Sequence, residues 1–263
     1  MLLLGYLFAL IIGLTLGMLG GGGSILTVPV FVYVLRYDPK LAIAMSLPVV
    51  GATSVIGAIG YWRAGNVRLR TAIIFGGVSM ASAFLAARLS IHVPGRAQLF
   101  VLGGTMLTAS ALMLRDSFRV PQPPPTRDSR LPASDSRPST PGSRLILPLS
   151  GLFVGALTGV IGIGGGFLIV PVFVLLAHLP MRQAVGTSLA VITMNAAAGL
   201  AGQTRIGEIP VDFVMTFSGV AIAGIVAGTW LTRHVHQNTL KRAFAVLLLV
   251  IAALLLWQNR AFQ

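Results

Sequence analysis

The chain has 263 residues, 55% of them hydrophobic and only 10% charged. A soluble domain carries roughly 25% charged residues, so this chain lacks the polar surface of an ordinary water-facing globule. Its 19 Lys and Arg outnumber 6 Asp and Glu, for a formal charge of +13. Those charges fall between apolar runs and no nucleic-acid recognition module is visible, so they speak for a lipid bilayer with anionic headgroups and for no nucleic acid.

The apolar segments lie at about 2–19, 22–35, 41–62, 71–90, 97–114, 145–162, 166–179, 183–204, 211–232 and 240–257. Runs of about 18 residues that are apolar all round cross a bilayer as helices, and they lack the alternation of barrel strands. The predicted fold class is therefore an all-α polytopic membrane protein. The first segment, Met1 to Leu19, has no basic n-region and no small-residue cleavage site, and reads as a retained membrane helix and not as a signal peptide. The chain has no Cys, which excludes disulfides, thiol nucleophiles and thiolate metal sites.

The stretch from Arg115 to Arg144 differs in composition. It holds Pro121, Pro123, Pro124, Pro125, Pro132, Pro138 and Pro141 among Ser and Arg. So little apolar surface predicts a disordered linker. The chain divides into a transmembrane repeat over 1–115, a cytoplasmic Pro/Ser/Arg-rich linker over 116–144 and a second transmembrane repeat over 145–263.

The two halves align without a gap. Pro29 and Pro171 stand 142 positions apart, and the same shift pairs Gly13 with Gly155, Gly17 with Gly159, Gly20 with Gly162 and Gly22 with Gly164. It also pairs Ser46 with Ser188, Gly57 with Gly199, Gly60 with Gly202, Arg63 with Arg205 and Gly65 with Gly207. Apolar sequence matches itself by chance, but a register that aligns Gly, Pro, Ser and Arg together does not arise so easily. Internal repeats of this kind recur in secondary transporters.

Charge predicts the orientation. If all ten segments cross, one side holds Arg63, Arg68, Arg70, the linker arginines, Arg182, Arg233, Lys241 and Arg242. The positive-inside rule makes that side cytoplasmic and puts both termini outside. Each half then has an odd number of crossings, so the second copy is inverted. If instead 2–35 and 145–179 each cross once, the repeats are parallel; the stronger charge bias favours inversion.

Three constellations carry candidate chemistry. The first is the glycine-rich stretch Gly17 to Ser24, with Gly20, Gly22 and Gly23, and its partner Gly159 to Gly166, with Gly162, Gly164 and Gly165. Each helical Gly costs about 1 kcal/mol relative to Ala, so the helix is predicted to break there. The helix resuming at Ser24 or Phe167 then offers bare N–H groups and a positive dipole end to an anion. The plainer reading is close helix packing through Gly13-x-x-x-Gly17 and Gly155-x-x-x-Gly159. Neither copy continues into the Lys-Ser or Lys-Thr of a phosphate-binding loop.

The second constellation is Ser46, Thr53 and Ser54 in the first half and Thr187, Ser188, Thr193 and Asn195 in the second. Hydroxyls and amides donate to an oxyanion without adding fixed charge, although Ser and Thr routinely bond within membrane helices. Matched placement singles out Ser46 and Ser188, and Asn195 is the most polar group so deep in an apolar run. The third is Arg63 and Arg205, whose guanidinium forks suit an oxyanion; snorkelling to headgroups is the first reading for both. No Asp or Glu lies within a predicted helix core, since Asp38, Glu208 and Asp212 sit at segment ends. Coupling would use one of these, a substrate proton or backbone-bound Na⁺.

The doubled Gly-x-x-x-Gly-x-x-Gly-x-Gly-Gly pattern, each copy followed by an apolar turn and Pro, resembles the sulfite exporter TauE/SafE family, also described as the toluene sulfonate uptake permease family. The likeness covers roughly 5–115 and 145–258. It departs at Gly21, where the second copy has Ile163, and at Ser24, where it has Gly166. The resemblance implies secondary transport of a small sulfur-containing anion such as sulfite or an organosulfonate, without cofactor. An intramembrane protease using Ser24 is the enzymatic alternative, but His92, His178, His234 and His236 sit at segment ends, away from a nucleophile. A scaffold, or a carrier of another anion or a metal ion, are the further alternatives; no clustered acidic, Met or His ligands favour metal.

Overall fold

The computed structural model describes residues 2–89, 95–118, 143–161, 166–202, 207 and 209–260. Among them every regular element is helical. The order is α1 (Leu2–Leu19), α2 (Gly22–Pro29), α3 (Pro39–Arg63), α4 (Leu69–Leu89), α5 (Gly95–Phe118), α6 (Ser143–Ile161), α7 (Gly166–Leu175), α8 (Met181–Gly202), α9 (Val211–Thr232) and α10 (Gln237–Arg260). Helices α3, α4, α8, α9 and α10 are long and apolar enough to cross a membrane, and α1, α2, α6 and α7 are shorter apolar helices. Large apolar side chains point outward, among them Ile73, Phe153 and Met215 at 64%, 66% and 69% exposure. Water would penalise such a surface, whereas lipid accepts it. The predicted linker core, 119–142, lies outside the described residues.

The ends of α3 show how local sequence sets the elements. Asp38 caps its start, accepting from the N–H groups of Lys40 at 3.0 Å and Leu41 at 3.4 Å, and Pro39 occupies the first turn, where its missing N–H costs nothing. At the other end Gly65 adopts φ +72°. The Gly65 N–H then reaches the Trp62 carbonyl and the Asn66 N–H the Tyr61 carbonyl, the paired bonds of a glycine-terminated helix.

Segment 22–35 is not one α-helix. Pro29 offers no N–H to the preceding turn, and the chain widens after it into a π-helical turn, Val30–Val34. Leu35 N–H donates to Val30 and Tyr37 N–H to Phe31; in the second half Ala177 N–H donates to Val172 and Leu179 N–H to Phe173. Arg36 (φ 59°) and His178 (φ 50°) end these stretches in the left-handed region, the two non-glycine positions to do so among the described residues.

Helix α2 folds back on α1. A Cβ at Gly23 would overlap the Ile12 carbonyl, and one at Gly5 would lie 3.2 Å from Leu35 Cδ2. Helix α1 then packs on α9 and α6 on α4. Gly13 faces the Ala221 carbonyl and Gly17 the Gly228–Thr229 backbone; Gly151 faces Phe75 and Gly155 faces Ser79. Residue numbers rise together in both pairs, so each pair runs in one direction. By contrast Leu47 meets Gly199, Gly51 meets Ala196 and Gly57 meets Leu189, which makes α3 and α8 antiparallel. Helices α5 and α10 pair through Ser110 Oγ, which donates to the Ala245 carbonyl at 2.8 Å. Backbones this close need residues without bulk, which accounts for the glycines on α1, α6 and α9.

Two buried apolar clusters fill the interior. The larger gathers Phe75, Phe167, Phe173, Leu189, Ile192 and Phe244, with the Phe75 and Phe173 rings edge to face at 4.9 Å. The smaller joins Phe31, Met45, Val49 and Phe217, and its Phe31 and Phe217 rings lie 5.0 Å apart.

Candidate anion-binding site

The break between α1 and α2 is tighter than the glycine run alone predicts. Only Gly20 and Gly21 leave the helix, and α2 resumes at Gly22, two residues before Ser24. Gly20 turns the chain at φ +71°, a conformation that penalises any side chain. Ser24 Oγ donates back to the Gly21 carbonyl at 2.8 Å and Thr27 Oγ1 to the Gly23 carbonyl at 3.2 Å, so both hydroxyls are engaged within the hairpin. In the second half α7 begins at Gly166, one residue before Phe167. Gly162, Gly164 and Gly165 lie outside the described residues, as does Arg205.

The first glycine break meets the start of α7. A Cβ at Gly21 would overlap the Gly166 carbonyl, and one at Gly166 would lie 2.9 Å from the Gly21 Cα. Gly21 and Gly166 therefore touch backbone to backbone. A Cβ at Gly20 would lie 2.7 Å from Ser188 Oγ and 3.1 Å from Val170 Cγ2. Gly166 itself faces Ile192. On α8, Ser188, Ile192 and Asn195 follow at the i, i+4, i+7 spacing of one helix face, so the stripe that receives both tips continues to Asn195, about 10 Å further along the axis.

Asn195 is 1% exposed, and its Nδ2 donates to Ser79 Oγ of α4 at 2.7 Å. Its Oδ1 is buried with no partner. An orphaned amide oxygen in a low-dielectric interior is expensive, and as an acceptor it calls for a proton donor such as water or a protonated ligand. Ser54 Oγ is another buried polar atom without a partner. Ser188 donates to the Val185 carbonyl and Ser46 to the Ile43 carbonyl, each at 2.8 Å. Thr53 bonds back to Val49 and Val50, and Thr193 to Leu189.

Of the expected residues, the structure brings together Gly20, Gly166 and Ser188 around the tips, with Asn195 on the same α8 face. Gly22 opens α2, and Gly23 serves the α1–α2 contact. Arg63 is exposed at the end of α3, outside this group. Two participants were missed from sequence. Ser79 stands at the position matched in the second half by Ala221, so the repeat gives it no signal. Tyr61, whose hydroxyl donates to the Gly17 carbonyl at 2.8 Å, is matched by Gln203 and has none either. Among the described residues there is no group of three or more His, Cys, Asp or Glu that could hold a metal.

Comparison with known proteins bears on this arrangement. The family model described as sulfite exporter TauE/SafE matches residues 5–255. A probable membrane transporter protein of Xylella fastidiosa strain 9a5c is 29% identical over 256 residues, 95% of this chain and 93% of the relative. The probable membrane transporter protein YdhB of Bacillus subtilis is 26% identical, over 94% of this chain and 97% of its own length. One from Methanocaldococcus jannaschii is 28% identical over 200 residues, 73% of this chain and 69% of the relative. No solved structure matches the chain significantly.

Proposed function

Since the chain belongs to the sulfite exporter TauE/SafE family, we propose that this multi-pass membrane transporter carries a small sulfur-containing anion, sulfite or an organosulfonate, across the cell membrane. The observation that carries the reading is the meeting of the Gly20–Gly21 break with Gly166 against Ser188, on the α8 face that leads to Asn195. An anion between Gly21 and Gly166 would meet the positive N-terminal ends of α2 and α7 and no carboxylate; the Ser188 hydroxyl would donate to it on leaving the Val185 carbonyl, and Asn195 through the second proton of Nδ2. The Gly21 and Gly166 backbones are in contact, so a substrate passing between them must part them, as when one half of a transporter rocks against the other.

The architecture proposed with this function is two inverted copies, 1–115 and 145–263. It is supported by contacts that recur at a shift of 142. Gly13 on Ala221 matches Gly155 on Ser79, and Arg36 matches His178 in its left-handed backbone. The pairing of α1 with α9 and of α6 with α4 exchanges the halves. Arg68, Arg182 and Arg233 gather at one end, where Arg68 Nε donates to Gln183 Oε1 and Arg182 Nη2 to the Arg233 carbonyl. That end is taken as cytoplasmic.

The test is binding of labelled sulfite, or of a labelled organosulfonate, to detergent-purified protein. Asn195→Ala should raise the dissociation constant about tenfold, the loss of one hydrogen bond to a charged ligand, with melting close to the parent. Unchanged binding by Asn195→Ala and by Ser188→Ala would exclude this face of α8 as the site.

A further inference from the structure

A second polar site lies at the arginine-bearing ends of α3 and α9, where their side chains hold a carbonyl of α1. The Gly17 carbonyl accepts from Tyr61 at 2.8 Å and from Thr232 at 3.4 Å. Beside it is a cavity of about 40 Å³ whose lining includes Tyr61, Asn66, Arg182, Thr229, Thr232 and Arg233. A water-sized sphere takes roughly 10–15 Å³ on this scale, so the space admits about three, the bulk of a trigonal oxyanion. Two arginines and no acidic residue line it.

Arg182 is held in a fixed pose. Its Nη2 donates to the carbonyls of Arg233 at 3.1 Å and Val235 at 3.2 Å, which ties the guanidinium to the end of α9. Its Nε is buried and has no acceptor. A guanidinium N–H kept from water without an acceptor is costly. Arg63, two residues from Tyr61, is exposed and does not line the space.

We propose that this cavity is a cytoplasmic-side subsite for a small oxyanion. Arg182 Nε–H donates to it and Arg233 supplies countercharge; the shell is completed by the second Nδ2 proton of Asn66, whose first is held by the Ala64 carbonyl, and by the Thr229 hydroxyl once it leaves the Val226 carbonyl. The proposal rests on the anion-transport reading and adds a station between the tips and the cytoplasm. It separates two tasks. The arginines capture a hydrated anion by charge at the membrane surface, and the uncharged donors of the tips hold it in the interior without trapping it.

The experiment is sulfite flux in liposomes holding purified protein of one fixed orientation, with half-saturation measured from each side. Arg182→Gln should raise the half-saturating concentration about tenfold on the arginine-bearing side and less than twofold on the other. Arg182→Lys should recover part of that loss. Because Arg182→Gln also removes bonds to the end of α9, Arg233→Gln is the second variant: it keeps the Arg233 carbonyl that Arg182 binds, and should shift the same side in the same direction. If the parent carries sulfite and Arg233→Gln leaves both sides unchanged, or shifts both equally, the subsite is wrong. If the parent carries none of sulfite, sulfate, thiosulfate or a sulfonate, the transport reading fails and the subsite with it.

Discussion

Replacing Gly20 by Ala tests the hairpin tip with a single methyl group. Two costs follow from the structure. The φ of +71° puts a non-glycine residue in the left-handed region, at roughly 1–2 kcal/mol. The new Cβ would sit 2.7 Å from Ser188 Oγ, closer than carbon and oxygen tolerate, so the hydroxyl must leave its 2.8 Å bond to the Val185 carbonyl, worth about 1 kcal/mol. The total is roughly 2–3 kcal/mol. Ser188→Ala alone loses only that bond, about 1 kcal/mol. In the double variant the bond is lost once, so it should be no less stable than Gly20→Ala, and the coupling should be about 1 kcal/mol. Contacts of the new Cβ with Val170 and Val185 are common to both backgrounds and cancel. Reversible unfolding in mixed micelles measures all four corners of the cycle. Additivity within roughly 0.3–0.5 kcal/mol would mean that Gly20 does not rest on Ser188 and that the tip contact is misdrawn.

Glycines that share one helix type but differ in surroundings should behave oppositely. A Cβ at Gly13 would overlap the Ala221 carbonyl, whereas one at Gly219 meets nothing within 4 Å; Gly13→Ala should lower the melting temperature sharply, and Gly219→Ala should raise it, through a helix-propensity gain of about 1 kcal/mol in unfolding free energy. Orientation is testable in this Cys-free chain with single cysteines and an impermeant thiol reagent. Lys40→Cys should label from outside intact cells and Arg70→Cys only after permeabilisation, and the reverse pattern would invert the assignment.

Much of the helical layout was legible in the sequence because apolar runs and breaks dominate it. Asp38-Pro39 announces the start of α3, and Gly65 its end. The glycine break between α1 and α2 was legible as a break, since several glycines in one run weaken a helix additively. Its extent was not: α2 resumes at Gly22 because the Ser24 and Thr27 hydroxyls bond back into the first turns, a stabilisation that propensity omits. The π turn after Pro29 was invisible because proline signals a lost bond without saying which wider bond replaces it. The partners of the site were the least legible. Asn195 stands out by its own polarity, but Ser79 gains meaning only when α4 is laid beside α8, and Arg182 only when the end of α9 is folded over it. Pairings more than 50 residues apart in the chain leave no local pattern.

Transport by purified protein tests the central claim most directly. Liposomes holding the protein and loaded with unlabelled sulfite should take up labelled sulfite in exchange. That uptake should saturate, be inhibited by a sulfonate and fall in Asn195→Ala. Folded, monodisperse protein that exchanges none of sulfite, sulfate, thiosulfate or a sulfonate above the rate of empty liposomes would contradict the account.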